Sequence, residues 1–434
     1  MGITRQRNLW RLLLSTLVLG VLTGGVSAVF LAMLEWVTST REHHLFFIAL
    51  LPAVGILTAV VYHRFGKNAQ RGNNLIIDSV HKGAQVPFRM AFFTFTFTIL
   101  THLTGGSVGR EGTAVQIGGT LANKIGQALK LEDKIKPVFI MSGISAGFGS
   151  VFGTPLAGAF FGMEMCFIGK LSYEAMLPCF ITSFTANYVT HLLGASHAVY
   201  EIQVIPAAGA CNMLIIAMAS CAFGLAGRLF AVSVRKLKGL YGKMIKNHAL
   251  RALAGSLIVL AAMLSLGAVK YDGLSTWMIN AGFRGETHFL DPVLKFVMTV
   301  LSLGAGFQGG EVTPLFDIGA ALGGWIGQTA HVEPSLFAAL GMIAVFGCAA
   351  NTPLTTVMLG IELFGAGALP YYVAAALISY YVSGHNGIYG SQLIHISKFR
   401  RPQEHVGQTL EAVGNKSILD LPQRDRRNKV RFDK

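Results

Sequence analysis

Eleven stretches of almost unbroken apolar sequence divide this chain, and they restrict its fold more than any other feature. They cover roughly residues 9–37, 45–62, 86–104, 137–168, 174–195, 207–234, 251–270, 290–306, 314–330, 335–365 and 367–383. Because a helix needs about 20 apolar residues to cross a bilayer, we expect roughly ten crossings, with some segments too short or broken to cross alone. Only 13% of the 434 residues are charged, against about 25% in soluble chains. The sequence therefore predicts an all-α polytopic membrane protein.

The first apolar stretch has two interpretations. The start, "MGITRQRNLWRLLLSTLVLGVL", resembles a signal peptide, and "VSA" at 26–28 has the form of a cleavage site. However, the apolar sequence continues to about Leu34, which is too long for the hydrophobic core of a signal. We interpret it as a retained first membrane helix.

The net charge of +14 suggests a nucleic-acid partner, but its distribution argues against one. The basic residues cluster near the N-terminus, at 235–246 and in the tail, as the positive-inside rule predicts for cytoplasmic segments. We therefore expect a first membrane repeat (1–235), a basic cytoplasmic loop (236–250), a second membrane repeat (251–397) and a basic cytoplasmic tail (398–434). The five cysteines lie in apolar segments without metal or redox spacing, so neither metal nor cofactor is expected.

An internal repeat links the two halves. The segment "GISAGFGSVFGTPLAGAFFGME" (143–164) matches "GMIAVFGCAANTPLTTVMLGIE" (341–362) at nine of 22 positions, including "TPL" and the final glutamate. Thr is a good helix N-cap and Pro is favoured at the first helical position, so each copy predicts a helix that starts inside apolar sequence. Two matched helix breaks indicate the substrate site of a transporter, although each could be a packing break between ordinary membrane spans.

The stretch "GGSVGREGTAVQIGG" (105–119) places Arg110 and Glu111 between apolar segments, where each charge costs about 3 kcal/mol. A second Gly-rich helix start, "GAGFQGGEVTPLF", lies in the other half. Helix N-termini bind anions through their free N–H groups, so the two starts predict an anion site. Glu111 would occupy that site when ionised and carry a proton when neutral. The alternative is an inert Arg110–Glu111 pair, which we disfavour because adjacent helical residues do not face each other.

These residues resemble the CLC family of chloride channels and anion/proton antiporters. "GREGTAVQIGG" looks like the family's GREGP signature, and "GGEVTP" (309–314) resembles its GxFxP stretch. "GNNLIID" (72–78) stands where the family has GSGIP, and "GIYGSQ" (387–392) where its pore tyrosine lies. The resemblance runs from about residue 10 to 397. It implies a CLC-type fold of two inverted repeats with broken, tilted helices, in a homodimer with one pore per subunit.

The departures from the family pattern resemble its bacterial fluoride/proton antiporter branch. Asn73 or Asn74 replaces the chloride-binding Ser, Thr113 replaces Pro, Val312 replaces Phe, and Met165 stands where chloride/proton exchangers have an inner glutamate. Amide and hydroxyl donors suit fluoride, which is small and strongly hydrated. The resemblance implies fluoride export from the cytoplasm against inward proton flow, across a bacterial inner membrane, with both termini cytoplasmic. The implied gating and proton-coupling residue is Glu111. The implied anion-binding residues are Asn73, Asn74, Gly112, Thr113, Glu311, Val312, Thr313 and Tyr389.

For several residues, and for the function itself, two interpretations remain open. Tyr389 would either reach the anion path or be an interfacial aromatic. Glu164 and Glu362 would either serve a proton route or, as their symmetry suggests, have a structural role. His385 would be a proton relay or an ordinary loop residue. "GISAG" (143–147) has the G-x-S-x-G form of a serine hydrolase, but no strand precedes Ser145, so an enzyme is not expected. Chloride/proton exchange and passive anion conduction remain the alternative functions.

Overall fold

The computed structural model describes residues 2–207, 209–399 and 405–414, with side chains from residue 12 onward. In this part of the chain the regular structure is almost entirely helical. The helices are α1 (Gly2–His43), α2 (Leu51–Phe65), α3 (Asn73–Lys82), α4 (Arg89–Leu103), α5 (Glu111–Ala128), α6 (Lys136–Phe152), α7 (Pro155–Glu164), α8 (Met176–Leu192), α9 (Ala210–Met244), α10 (His248–Ser265), α11 (Trp277–Phe283), α12 (Leu290–Ala305), α13 (Val312–Thr329), α14 (Pro334–Ala350), α15 (Pro353–Phe364), α16 (Leu369–Val382) and α17 (Leu410–Gly414). Most of the predicted tail, 400–404 and 415–434, lies outside the described residues.

Four segments of the described chain are long and apolar enough to cross a membrane. They are Leu12–His43, Leu45–Phe65, Ala210–Met244 and His248–Ser265. The apolar runs at 137–168 and 335–365 are each split into two shorter helices, as expected of segments too broken to cross alone. The first apolar stretch is one continuous helix through "VSA", where Ser27 Oγ contacts Ser150 Oγ of α6 at 2.7 Å. The first helix thus packs into the bundle.

The duplication seen in the sequence recurs in the helix boundaries. Helices α6 and α14 start and end 198 residues apart, and α5 and α13 start and end 201 residues apart. Glycines at matching positions let each pair pack closely: a methyl group on Gly118 would overlap the carbonyl oxygen of Gly143, and one on Gly319 would overlap that of Gly341. Each repeat therefore uses a glycine-to-glycine contact to bring two helix backbones together.

The two "TPL" breaks have the same backbone. Gly153 and Asn351 occupy matching positions and both adopt the left-handed conformation, with φ of +78° and +59°. Thr154 and Thr352 then stand at the N-cap positions of α7 and α15, but neither hydroxyl caps its helix. The predicted helix starts are confirmed, with Pro155 and Pro353 as the first helical residues, but the threonine hydroxyls do not bind the free amides because other side chains do.

Glutamates of the opposite repeat cap these two helices. The carboxylate of Glu362 accepts hydrogen bonds from the amides of Leu156 and Ala157, both at 2.9 Å. Glu164 caps α15 in the same way, at 3.1 and 2.9 Å, and also accepts from the Thr355 hydroxyl at 2.8 Å. Each glutamate lies near the C-terminal end of its own helix and binds the N-terminus of the other. Helices α7 and α15 are therefore antiparallel, as inverted repeats require.

A short parallel strand pair ties the end of the second repeat to the first. Strand β1 (Phe167–Ile168) follows α7, and β2 (Leu393–Ile394) follows α16, with Phe167 opposite Leu393. The side chain of Gln392 adds hydrogen bonds to the carbonyls of Met165 at 2.8 Å and Ala350 at 2.7 Å. This connection fixes the segment that carries Tyr389.

Candidate functional site

Two glycine-rich loops, one from each repeat, meet in a two-residue antiparallel bridge. The Gly109 amide donates to the Gly310 carbonyl at 2.6 Å, and the Gly310 amide donates to the Gly109 carbonyl at 2.7 Å. Only glycine fits at Gly109, where a methyl group would lie 2.9 Å from Cδ of Pro314. Because α5 and α13 begin immediately after the bridge, it holds two helix N-termini and their free amides side by side.

We call the place where the N-termini of α5 and α13 meet the junction. The carboxylate of Glu111 reaches across it from α5 to α13. Glu111 is the first residue of α5, is fully buried, and its Oε2 accepts from the Thr313 amide at 3.1 Å and the Thr313 hydroxyl at 2.5 Å. Thr313 lies in the first turn of α13, where the helix dipole favours a negative charge. The glutamate of the first repeat therefore occupies the anion-binding end of a helix in the second.

Arg110 and Glu111 also contact each other, which the sequence argument did not anticipate. Arg110 Nε lies 3.2 Å from Glu111 Oε1. The expectation that the two side chains cannot meet was wrong, because Arg110 precedes the first helical residue and the helix spacing rule does not apply to it. The other carboxylate oxygen of Glu111 binds Thr313, so the carboxylate has partners in both repeats.

Gly112 is surrounded by three of the predicted anion-site residues or their neighbours. A methyl group there would lie 2.9 Å from Cα of Gly310, 3.1 Å from Nδ2 of Asn73 and 3.5 Å from Oε2 of Glu311. The absence of a side chain thus lets α5 approach the opposite loop closely. It also brings the Asn73 amide and the Glu311 carboxylate close to this backbone.

The two candidate asparagines differ in their contacts. Asn73, the first residue of α3, is buried beside Gly112, and its Oδ1 makes no hydrogen bond within the described residues. The Oδ1 of Asn74 accepts from the Ser391 amide at 2.9 Å. Asn73 is thus the asparagine beside Gly112, and Asn74 holds the loop that follows Tyr389.

A cavity of about 510 Å³ opens on one side of the junction. We call it the Tyr389 cavity; it is lined by Asn73, Asn74, Gln116, Glu311 and Tyr389, with Arg71, Arg235, Lys238 and Glu411 among the other residues. Its wall carries four buried polar atoms that make no hydrogen bond within the described chain: Asn73 Oδ1, Gln116 Oε1, Glu311 Oε2 and Tyr389 Oη. A wall of this kind has donors and acceptors to offer a small hydrated ion.

A second cavity, of about 530 Å³, lies on the opposite side. We call it the Arg110 cavity; it is lined by Arg110, Glu35, Glu42, Tyr200 and Leu274, among others. Arg110 borders this cavity while Asn73 and Glu311 border the other. Glu111 contacts Arg110, which borders one cavity, and its neighbour Gly112 lies beside Asn73 and Glu311, which border the other.

Two predicted anion-site residues have a packing role in this arrangement. The Thr113 hydroxyl exchanges a 2.7 Å hydrogen bond with the Thr98 hydroxyl of α4, so it does not face the junction. Val312 is fully buried as the first residue of α13, and only its backbone could contribute to the site. Of the two threonines with a predicted role, Thr313 alone contacts Glu111.

The remaining candidates from the sequence have structural partners. His385 Nε2 accepts from the Lys398 amide at 3.1 Å, which matches an ordinary loop residue. Ser145 lies on α6 and its hydroxyl donates to the Ala159 carbonyl at 3.5 Å, as expected of helix packing. Glu164 and Glu362 are helix caps, which supports their structural interpretation.

Three polar residues near the junction were missed in the sequence. Gln116 lies one turn after Gly112 on α5 and reaches the Tyr389 cavity. Lys295 and Asp317 are fully buried on α12 and α13 and lie 3.4 Å apart. Each is an isolated polar residue in an apolar helix, and this pattern alone would have marked them as candidates.

Comparison with known proteins identifies the family. The family model described as "voltage gated chloride channel" matches residues 54–384, which include Glu111 and Thr313. The chain belongs to this CLC family. A relative in Pseudomonas syringae pv. tomato, named "Chloride/fluoride channel protein", is 42% identical over 389 residues, or 88% of this chain and 86% of the relative. The "H(+)/Cl(-) exchange transporter ClcA" of Vibrio cholerae is 25% identical, with 91% of each chain covered.

Solved structures of CLC proteins have the same fold. The crystal structure of a CLC-type fluoride/proton antiporter matches with a TM-score of 0.86 and 35% identity, over 88% of this chain and 98% of that one. A slow cyanobacterial Cl-/H+ antiporter matches with a TM-score of 0.74 at 20% identity, over 86% and 94% of the two chains, and supports the fold alone. The predicted all-α CLC fold is confirmed, and the chain is a membrane ion-transport protein.

Proposed function

We propose that this CLC protein is a secondary active fluoride/proton antiporter that exports fluoride from the cytoplasm against inward proton flow. The observation that carries the proposal is the Glu111 carboxylate bound to the amide and hydroxyl of Thr313 at the start of α13. A transported anion would compete for the same donors, because both are negative groups at a helix N-terminus. When Glu111 takes a proton it loses its charge and yields the donors to the anion.

Fluoride is favoured as the anion by the donors around the junction. The Asn73 amide, the Thr313 amide and hydroxyl, and the Tyr389 hydroxyl are compact donors beside Gly112 or in the adjoining cavity wall. A small ion with tightly held water needs several close donors to replace its hydration shell. Fluoride appears in the name of the 42% identical relative and in that of the 35% identical structure, which supports this choice.

The charge distribution supports the assignment of the cytoplasmic side. Arg71, Arg235 and Lys238 line the Tyr389 cavity, and the helix α17 of the C-terminal segment contributes Glu411 to its wall. By the positive-inside rule, this is the cytoplasmic side, so both termini are cytoplasmic in a bacterial inner membrane. Fluoride enters at the Tyr389 cavity and leaves at the Arg110 cavity, while protons move the other way.

A homodimer belongs to the same proposal through the CLC resemblance. Several large apolar side chains of α8 are exposed in the single chain, among them Phe184, Tyr188 and Leu192, with exposed fractions of 47%, 68% and 70%. These side chains need either lipid or a second subunit. Cross-linking of cysteines on α8 in native membranes would separate the two, since only a dimer gives a product of twice the chain mass.

Chloride/proton exchange and passive anion conduction are the alternative functions. Purified protein in liposomes, with fluoride and chloride electrodes and a pH-sensitive dye, distinguishes all three. We expect a proton gradient to drive fluoride uphill and to leave chloride almost unmoved. Equal transport of chloride would overturn the fluoride assignment, and fluoride flux without proton movement would overturn antiport.

A further inference from the structure

A buried ion pair lies close to the Glu111 junction but takes no part in the contacts of Glu111 with Thr313 and Arg110. Lys295 of α12 and Asp317 of α13 are both fully buried, with Nζ and Oδ2 3.4 Å apart. Neither oxygen of Asp317 makes a hydrogen bond within the described residues, whereas Lys295 donates to the Gly273 carbonyl at 2.9 Å and to Ser275 Oγ at 3.1 Å. The lysine is satisfied by a loop, and the carboxylate is left with a single long ionic contact.

Asp317 lies one helical turn beyond Thr313. Residues four apart share a face of a helix, so Asp317 follows the residue that holds Glu111, about 6 Å further along the α13 axis. Tyr200 interacts electrostatically with Asp317, Arg110 and Glu111 together, and it lines the Arg110 cavity. Leu274, whose carbonyl accepts from Lys295 at 3.3 Å, lines the same cavity. The pair therefore lies behind the wall of the Arg110 cavity.

The charges around Asp317 come from several elements. Arg41 of α1 pairs with Asp272 at 2.9 Å, and its Nη1 also donates to the His102 carbonyl of α4. The titratable and charged groups that face this region are Arg41, His102, Arg110, Glu111, Tyr200, Asp272 and Lys295. Each of the three acids, Glu111, Asp272 and Asp317, pairs with one base, so protonation of any one of them leaves a single base without its ionic partner.

We propose that Asp317 is a second protonatable carboxyl of the transport cycle, which passes protons between the Arg110 cavity and Glu111. This inference rests on the proposed antiport. Asp317 takes a proton that reaches it through water from the Arg110 cavity, and its O–H bond then breaks as the proton moves through water to a carboxylate oxygen of Glu111. Asp317 returns to a carboxylate beside the Lys295 ammonium. Glu111 gains the O–H bond that Asp317 loses, and each bridging water gives up one proton as it takes another.

The test replaces Asp317 and measures coupling in liposomes. Asp317→Asn cannot carry a proton, so we expect proton-driven fluoride transport to fall about a hundredfold or more, in the range typical of a lost proton-transfer group. Asp317→Glu keeps a carboxyl and should keep most of the coupled transport. A D317N protein that couples protons to fluoride like the wild type would overturn the proposal.

A double variant separates proton transfer from structural support. In D317N alone the buried Lys295 loses its ionic partner, and this could itself damage the fold. In K295Q/D317N neither charge remains, so a purely structural defect should be relieved while a proton-transfer defect should persist. Recovery of coupling in the double variant would overturn the proposal.

Asp291→Asn is the matched control. Asp291 pairs with Lys270 at 3.2 Å and lies on the same helix as Lys295, but it has no contact with the Glu111 junction. We expect D291N to keep its coupling ratio. Glu111→Gln, measured in parallel, tests the antiport itself: if it loses coupling while D317N keeps it, the relay fails and the proposed function stands.

Discussion

The hydroxyl of Thr313 donates a 2.5 Å hydrogen bond to the carboxylate of Glu111, from the first turn of one repeat's helix to the first residue of the other's. The two residues lie 202 positions apart, so this hydrogen bond joins the two repeats. The duplication of the chain thus has a chemical consequence. It places a negative side chain from one half at the positive helix end of the other.

Glu111→Gln should abolish proton coupling. The amide keeps the size of the side chain but cannot bind and release a proton at the junction. Fluoride electrodes and a pH-sensitive dye in liposomes should show that a proton gradient no longer drives fluoride uphill. Ser145→Ala, which changes a helix-packing hydroxyl, is the control and should couple normally. Uphill transport by E111Q would remove Glu111 from the mechanism.

The two threonines give a matched pair of valine substitutions. Thr313→Val removes the hydroxyl donor to Glu111 but keeps the amide, so the carboxylate is held less firmly and we expect fluoride to leak without protons. Thr113→Val removes only the hydrogen bond to Thr98. It should lower thermal stability slightly and leave the proton-to-fluoride ratio unchanged. The opposite pattern, with leak in T113V alone, would contradict the assignment of Thr313.

The neighbouring asparagines should separate anion binding from loop anchoring. Asn73→Ala removes an amide beside Gly112, and the loss of a hydrogen bond to a charged group, about 1.5–3 kcal/mol, predicts roughly tenfold to hundredfold weaker fluoride binding. Isothermal titration of detergent-solubilised protein measures the affinity. Asn74→Ala removes the bond to the Ser391 amide. It should reduce stability more than affinity, and equal losses of affinity would show that both residues bind the anion.

Loss of either glutamate cap should lower the stability of the folded subunit. Glu164→Gln or Glu362→Gln replaces one acceptor oxygen by a donor that faces helix amides, at a cost of about 1–2 kcal/mol, in the range of helix-cap substitutions. The apparent melting temperature in detergent should fall for both variants. Asp133→Asn, at an exposed carboxylate in the loop before α6, should not change it. Transport that remains coupled in both cap variants would exclude these acids from the proton route.

Much of the architecture was readable from residue patterns. The apolar runs predicted a helical membrane protein, and the "TPL…E" repeat predicted matching breaks at Gly153 and Asn351. The repeat also identified Glu164 and Glu362 as equivalent. It did not predict that each caps the other's helix, because a capping partner 190 or more residues away leaves no local pattern in the chain. Local chemistry suggested threonine caps instead, and the glutamates displaced them.

The site, like the architecture, was only partly predictable from the sequence. The residue types could be read from the sequence: glycines that free helix amides, one glutamate at the start of α5, and donors at Asn73 and Thr313. Which of these residues meet, which of the two adjacent asparagines lies beside Gly112, and that Arg110 reaches its neighbour could be seen only in the folded chain. It also brought Lys295 and Asp317 together. The physical reason is that helix starts and donors are properties of short segments, whereas contacts between buried charges depend on how two distant helices pack, and this is settled by the whole bundle.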